Sequence, residues 1–206
     1  MPESLKLTAM PNVHPRILLA SSSPYRRQLL ARICPRAEAL PPQADETPKA
    51  GESPRDLAVR LAQSKALSLA PAQGSDCLII GSDQVASLGG EPIGKPGDRE
   101  RAQAQLHAAS GRWLDFYTGL CLHDNRAGKT RTRCETYRVK FRTLSTTQID
   151  RYLNLEQPYD CAGAFKAEGL GIRLFERMEG DDPNTLIGLP LMALIDLMLD
   201  AGYDPL

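Results

Sequence analysis

The stretch Cys77-Leu78-Ile79-Ile80-Gly81-Ser82-Asp83-Gln84-Val85 decides the fold of this chain. Its apolar run, with β-branched Ile79 and Ile80, passes without a polar break into Gly-Ser-Asp, the pattern of a strand buried on both faces that ends at a site. In α/β sheets, chemistry gathers just beyond the carboxyl ends of central strands, where a polar side chain is rigidly held yet reaches solvent. Asp83 is therefore the leading candidate for a catalytic carboxylate. Gly81 marks a place where backbone or ligand comes close. The competing reading is that Ser82-Asp83 is only turn chemistry closing a strand. The neighbouring motifs weigh against it.

Upstream, Arg16-Ile17-Leu18-Leu19-Ala20 reads as a short buried strand, followed at once by Ser21-Ser22-Ser23-Pro24-Tyr25-Arg26-Arg27. Ser23 suits an N-cap and Pro24 the first helical position, so a helix begins here and runs through Leu29, Leu30 and Ile33. Hydroxyls, free backbone N–H groups and the positive helix end converge on one place. With Arg26 and Arg27 in the first turn, Ser21 and Ser23 make a candidate anion site. The plainer reading is a capped helix with two surface arginines. Next, a proline-rich link carries Asp45-Glu46, either simply solvated or a ligand for a hard cation such as magnesium, which takes one or two carboxylates and fills its shell with water and phosphate. Ser53-Pro54-Arg55-Asp56 starts a second helix with Leu57, Leu61, Ala62, Ala66 and Leu69 at helical spacing. Lys65 lies at the edge of that apolar face, either snorkelling or pointing into a cleft.

Downstream, Val85 to Ile93 reads as a hairpin turning at Gly89-Gly90, leading to Gly94-Lys95-Pro96. Gly89 to Lys95 nearly matches a P-loop, but Pro96 stands where Ser or Thr should bind magnesium, so Lys95 is a single cation on a stiff loop. A helix follows over 98–109. Two long alternating strands follow, with Leu114, Phe116, Leu120 and Leu122 on one and Tyr137, Val139 and Phe141 on the other. Ser145 caps a helix to about Leu155. The segment from Asp160 to Gly171, with glycines, small residues and the charged Lys166 and Glu168, reads as a loop built for close approach. A strand over Ile172 to Phe175 is expected, then a last helix with Leu191, Leu194, Ile195, Met198 and Leu199 facing the core.

The 206 residues suffice for one domain with a substantial core, expected over 16–206, behind a flexible leader over 1–15. Lys plus Arg and Asp plus Glu both count 25, so nothing in the bulk charge argues for a nucleic-acid polymer or a membrane surface as partner. The five cysteines form no Cys-x-x-Cys pair and the three histidines fall at no zinc spacing. That usage suits reduced thiols and a cytoplasmic location. No stretch has the length of a membrane span.

Taken together, Ser21-Ser22-Ser23-Pro24-x-Arg26, Asp45-Glu46, Gly81-Ser82-Asp83, Gly94-Lys95-Pro96 and the loop from Asp160 to Gly171 occur in the order seen in the Maf-type nucleoside triphosphate pyrophosphatases. The resemblance runs from Arg16 to about Gly202. It implies an α/β fold related to inosine triphosphate pyrophosphatases: a central mixed twisted sheet flanked by helices, in two lobes with an active-site cleft. It also implies a cut that needs a divalent cation, magnesium or manganese, and yields a nucleoside monophosphate and diphosphate. By the same resemblance Asp83 is the proton acceptor and Glu46 a metal or water ligand. Arg26 and Lys95 hold phosphate, and Lys65 is a further candidate for that work. Whether Asp83 takes the proton, binds the metal or does both stays open, and a homodimer is expected by family analogy alone.

Within that family, the branch acting on dTTP and UTP carries arginine, threonine and glutamine where this chain has Tyr25, Gln84 and Glu168. The residues here resemble instead the branch that hydrolyses 7-methyl-GTP. Physical chemistry agrees, since methylation at N7 makes guanine cationic. An aromatic face at Tyr25 attracts a cation, and a carboxylate at Glu168 accepts from the base N1–H and exocyclic amine. The alternatives are the same reaction on dTTP, UTP or another modified nucleotide, and a nucleotide-binding regulator of growth or division.

Overall fold

A computed structural model of the chain describes residues 15–206. The leader expected over 1–15 lies outside them except for Pro15, which is buried. Strand β1 (Arg16–Ala20) runs into helix α1 (Pro24–Ala31), whose Ser23 hydroxyl accepts from Arg26 N at the cap. Next come β2 (Glu38–Leu40), α2 (Pro54–Leu69), β3 (Cys77–Leu88), β4 (Glu91–Ile93) and α3 (Arg99–Ala109). The long hairpin β5 (Trp113–Asp124) and β6 (Lys129–Phe141) precedes α4 (Thr146–Glu156), β7 (Phe175–Glu179), a short α5 (Asn184–Ile187) and α6 (Leu191–Asp200).

The strands form one mixed sheet of seven in the order β2-β1-β3-β5-β6-β7, with β4 paired to β3. Strand β1 pairs in parallel with β2 and β3, and the other pairings are antiparallel. Helices cover both sides, the α/β architecture expected from the buried apolar runs. On one side α1 and α6 pack Leu30, Leu194 and Met198 against Leu19, Ile80 and Leu122. Farther along, α3 and α4 close over Phe116, Val139 and Phe141, and Phe165 sits edge-on among Phe116, Phe141 and Phe175 at centroid distances from 4.8 to 5.8 Å. No helix among the described residues is long and apolar enough to cross a membrane.

On the other side α2 lies directly on the sheet. A Cβ on Gly81 would come within 2.0 Å of Ala62 O, and one on Gly119 within 2.1 Å of Ala58 O, so only glycine permits this approach. The close approach expected at Gly81 is thus made by helix backbone.

The structure corrects several boundaries. Strand β3 does not end at Gly81-Ser82-Asp83 but runs to Leu88, because β5 pairs with it from Leu78 to Ser87. It is β1 that stops, with Ala20 opposite Gly81, and β4 takes up that edge only at Ala86. Asp83 therefore lies beside a gap in the sheet, beyond the carboxyl end of its neighbour. Residues 170–174 form a 3-10 helix rather than a strand, since pairing with β6 begins only at Phe175. The C-terminal segment breaks at Gly188 (φ 112°) into α5 and α6, and Leu199 is half exposed where Leu197 is buried. The short edge strand β2 precedes the prolines that made this region read as a link.

Candidate active site

The gap opens on a cleft of about 950 Å³ whose walls come from α1, α2, β3 and the segments around residues 94 and 160–168. At its centre Lys65 is buried, with Nζ 2.6 Å from Asp83 Oδ1 and 2.8 Å from Glu46 Oε1. The direct seat of α2 on Gly81 and Gly119 explains this reach, because the residue opposite Asp83 in β5 is Gly119 itself. The lysine points into the cleft and does not snorkel. Asp83 is 8 % exposed, and burial raises its carboxyl above the usual aspartate range while Lys65 and Arg26 pull it back.

Arg26 is placed by the start of α1. Its Nε donates to Gly188 O at 2.8 Å, which leaves the guanidinium terminus for the cleft. Burial lowers its pKa and the nearby Asp83 and Glu46 oppose that, so anionic company keeps this cation in place. The Ser21 hydroxyl accepts from Ser23 N (3.1 Å) and the Ser23 hydroxyl from Arg26 N (3.3 Å), so both serve first to shape the turn at the cleft wall. Arg27 is exposed and faces a smaller pocket of about 200 Å³ behind the serines. Asp45 turns away to accept from Thr47 N at 2.9 Å. Lys95 is exposed on the cleft rim and has no charged partner among the described residues. Its loop is pinned on both sides: Gln105 Nε2 donates to Gly94 O (3.1 Å), and Gly97 N donates to Tyr159 O (2.9 Å).

Tyr25 is half-buried and Glu168 exposed, and both line the same cleft. Gln84 lines it too, but its amide nitrogen is engaged by Thr118 Oγ1 (3.1 Å), Thr185 O (2.8 Å) and Leu186 O (3.1 Å). Two amide protons shared among three acceptors fix the side chain, whose carbonyl oxygen remains for a ligand.

Sequence reasoning gave Ser82 only as turn chemistry at a strand end and passed over Thr118, yet both join Gln84 in tying the 182–188 segment to the sheet. Buried Ser82 Oγ lies 2.8 Å from Gly188 O and 3.0 Å from Gly119 O, with one proton to share. Thr118 donates to Thr185 O at 2.9 Å. Both interrupt faces otherwise built from Leu, Ile and Phe, and a polar residue in an apolar alternation was the available signal.

The donor set bears on a divalent cation. Among the described residues no three His, Cys, Asp or Glu side chains form a metal cluster. Glu46 and Asp83 do converge on one point, now filled by the Lys65 ammonium. Lys65 takes Oδ1 of Asp83 and Oε1 of Glu46, and the second oxygen of each carboxylate is left as a hard donor that suits an ion taking the rest of its shell from phosphate and water beside the ammonium. The residues present fit the group.

The fold, a mixed sheet flanked by helices with a cleft at a break in strand pairing, resembles the structure of the Staphylococcus aureus Ham1 protein. The match has a TM-score of 0.51 at 14 % identity, over 91 % of this chain and 100 % of that one. A family model described as Maf-like protein matches residues 16–201, and the chain belongs to the Maf family. It is 52 % identical over 189 residues to the 7-methyl-GTP pyrophosphatase of Nitrosococcus oceani, covering 92 % of this chain and 94 % of that protein. With the 7-methyl-GTP pyrophosphatase of Vibrio vulnificus it shares 51 % over 191 residues, 93 % of this chain and 97 % of the relative.

Proposed function

We propose that this protein hydrolyses 7-methyl-GTP to 7-methyl-GMP and diphosphate. The observation that carries the reading is that Tyr25 and Glu168 line one cleft with the Asp83–Lys65–Glu46 cluster. The relatives named above support the substrate.

In the mechanism, a water molecule attacks the α-phosphorus as Asp83 takes its proton, and the bond from that phosphorus to the α,β-bridging oxygen breaks. Lys65 opposes the effect of burial on Asp83 and favours the ionised carboxylate a base requires. Arg26 and Lys95 take up charge on the leaving diphosphate, and the turn from Ser21 to Ser23 shapes the wall beside it. Glu46 and Asp83 would hold a magnesium or manganese ion, which when bound neutralises phosphate charge and acidifies water. Tyr25 stacks on the cationic base, and Glu168 accepts from its N1–H and amine. Gln84 holds the 182–188 segment and presents its carbonyl to the nucleoside. The described cysteines are free, which suits action on a nucleotide pool in a reducing cytoplasm.

The test is diphosphate release with magnesium or manganese from 7-methyl-GTP, GTP, dTTP, UTP and CTP, with Asp83→Asn as blank. A kcat/KM for 7-methyl-GTP above all others is expected. Preference for dTTP or UTP would overturn the base pocket and keep the reaction, and no release from any substrate would overturn both.

A further inference from the structure

Glu168 owes its position to a loop that leaves α4 at Gln157, a non-glycine residue in the left-handed region (φ 48°), and folds back over the helix it left. Within the loop Gly169 N and Gly171 N both donate to Lys166 O (3.2 and 3.0 Å), and three hydrogen bonds among the described residues tie it to the elements around it. Gly97 N donates to Tyr159 O (2.9 Å), Lys166 N to the Tyr152 hydroxyl (3.2 Å) and Leu170 N to Glu156 Oε2 (2.6 Å). The last is the shortest and lies two residues from Glu168. Between them, a Cβ on Gly169 would stand 2.8 Å from both carboxylate oxygens of Glu156, so the chain lies against that carboxylate without a side chain between. Glu168 itself is exposed and has no partner among the described residues, so nothing but its backbone aims it.

Helix stability does not account for Glu156. It is the last residue of α4, where the helix dipole disfavours an anion, and the charge-assisted bond to Leu170 N is the interaction that offsets this. We infer that Glu156 is a positioning residue for base selection: its carboxylate fixes Gly169 and Leu170 so that Glu168 meets the edge of the base. The inference rests on Glu168 reading the base, as proposed above. Lys65, Asp83 and Arg26 stand on α2, β3 and α1, so cutting the tie leaves the reacting end of the cleft in place. Discrimination between bases is lost while phosphate chemistry persists.

The experiment compares kcat/KM for 7-methyl-GTP with that for CTP, a substrate with the same triphosphate whose base presents an acceptor where guanine presents N1–H. Partial unfolding lowers both together and leaves their ratio unchanged. In Glu156→Ala the ratio is expected to fall by about 10- to 100-fold, the worth of one charge-assisted hydrogen bond, with kcat for CTP little altered. Glu156→Gln, which keeps an acceptor oxygen, restores most of the ratio. Gly169→Ala places a methyl group where the Glu156 carboxylate lies and pushes that side-chain tip off Leu170 N, so it lowers the ratio, by less than Glu156→Ala, and serves should that variant fail to fold. An unchanged ratio in Glu156→Ala or in Gly169→Ala overturns the inference, as does an equal fall in Glu156→Gln, which would make charge rather than position the cause. A wild-type ratio near one overturns the substrate reading and this inference with it, so the two failures are told apart.

Discussion

The ammonium of Lys65 lies 2.6 Å from Oδ1 of Asp83, and its second carboxylate, Glu46 at 2.8 Å, stands in solvent while Asp83 does not. The lysine thus joins a buried anion to an exposed one, and the two depend on it unequally. Glu46 is hydrated without it. Asp83 has lost most of its water and relies on Lys65 and Arg26 to remain charged.

Removing the carboxylate and removing its partner should therefore differ. Asp83→Asn is expected to lower kcat by about 10²–10⁴, the range for loss of a general base, and to leave the circular dichroism spectrum unchanged. Lys65→Met strands a buried carboxylate, at a cost of up to about 3–5 kcal/mol in urea unfolding if Asp83 stays charged. The double variant should be more stable than Lys65→Met alone. A double variant no more stable than Lys65→Met would show that the pair contributes nothing beyond packing.

The glycines beneath α2 give a second test. Gly81→Ala or Gly119→Ala places a methyl group within 2.0 or 2.1 Å of a helix carbonyl, and backbone cannot move aside as a side-chain tip can. Each is expected to destabilise by at least about 1–3 kcal/mol, the usual cost of overpacking, and to lower turnover by shifting Lys65. Wild-type stability in either variant would mean that α2 seats elsewhere.

Ser82 and Arg26 meet at one atom, Gly188 O, which lies 2.8 Å from each side-chain donor. Ser82→Ala frees one restraint on that carbonyl and leaves Arg26 less firmly aimed. The expected result is a KM for nucleotide raised about 3- to 10-fold with kcat nearly kept, since one neutral hydrogen bond is worth on the order of 1 kcal/mol. A fall in kcat with unchanged KM would contradict it.

The pair Arg60–Glu52 carries a pH dependence. The hydrogen bond from Arg60 holds the Glu52 carboxyl down to about 2 from the ordinary 4.5, against burial. A depressed carboxyl contributes stability above its unfolded pKa and loses it as pH falls through the folded one. The melting temperature of wild type should exceed that of Glu52→Gln near neutrality, with the gap closing between pH 4.5 and about 2. A gap independent of acid would place the effect in packing.

Much of this architecture was legible because it is local. Ser23-Pro24 and Ser53-Pro54 announce two helix starts, Gly89-Gly90 a hairpin, and the apolar residues 77–80 a buried strand. Residues that line the cleft were legible because their types suit the chemistry. What stayed hidden is what depends on long-range contact. Strand β3 runs past Asp83 because of its pairing with β5, a partner some forty residues away that its own sequence does not name. The 3-10 helix over Leu170–Leu174 forms where pairing to β6 has not yet begun, so Ile172 satisfies a strand pattern without joining a strand. Glu156 reads as an ordinary helix-end acid, and only the return of the loop gives it Leu170 N as a partner.

Between Gly81 and Ala86, strand β3 has no strand along one edge among the described residues. Along its other edge the floor of the cleft stays bonded to β5, so the amides that face β5 are expected to exchange with solvent slowly, while those that face the gap have no strand partner. Such a floor does not flex to admit or release a ligand. Entry and exit then fall to the rim, to the loop that carries Glu168 and the proline-rich link, and of the central cluster only Glu46 moves with that rim, around Lys65 and Asp83 held on α2 and β3.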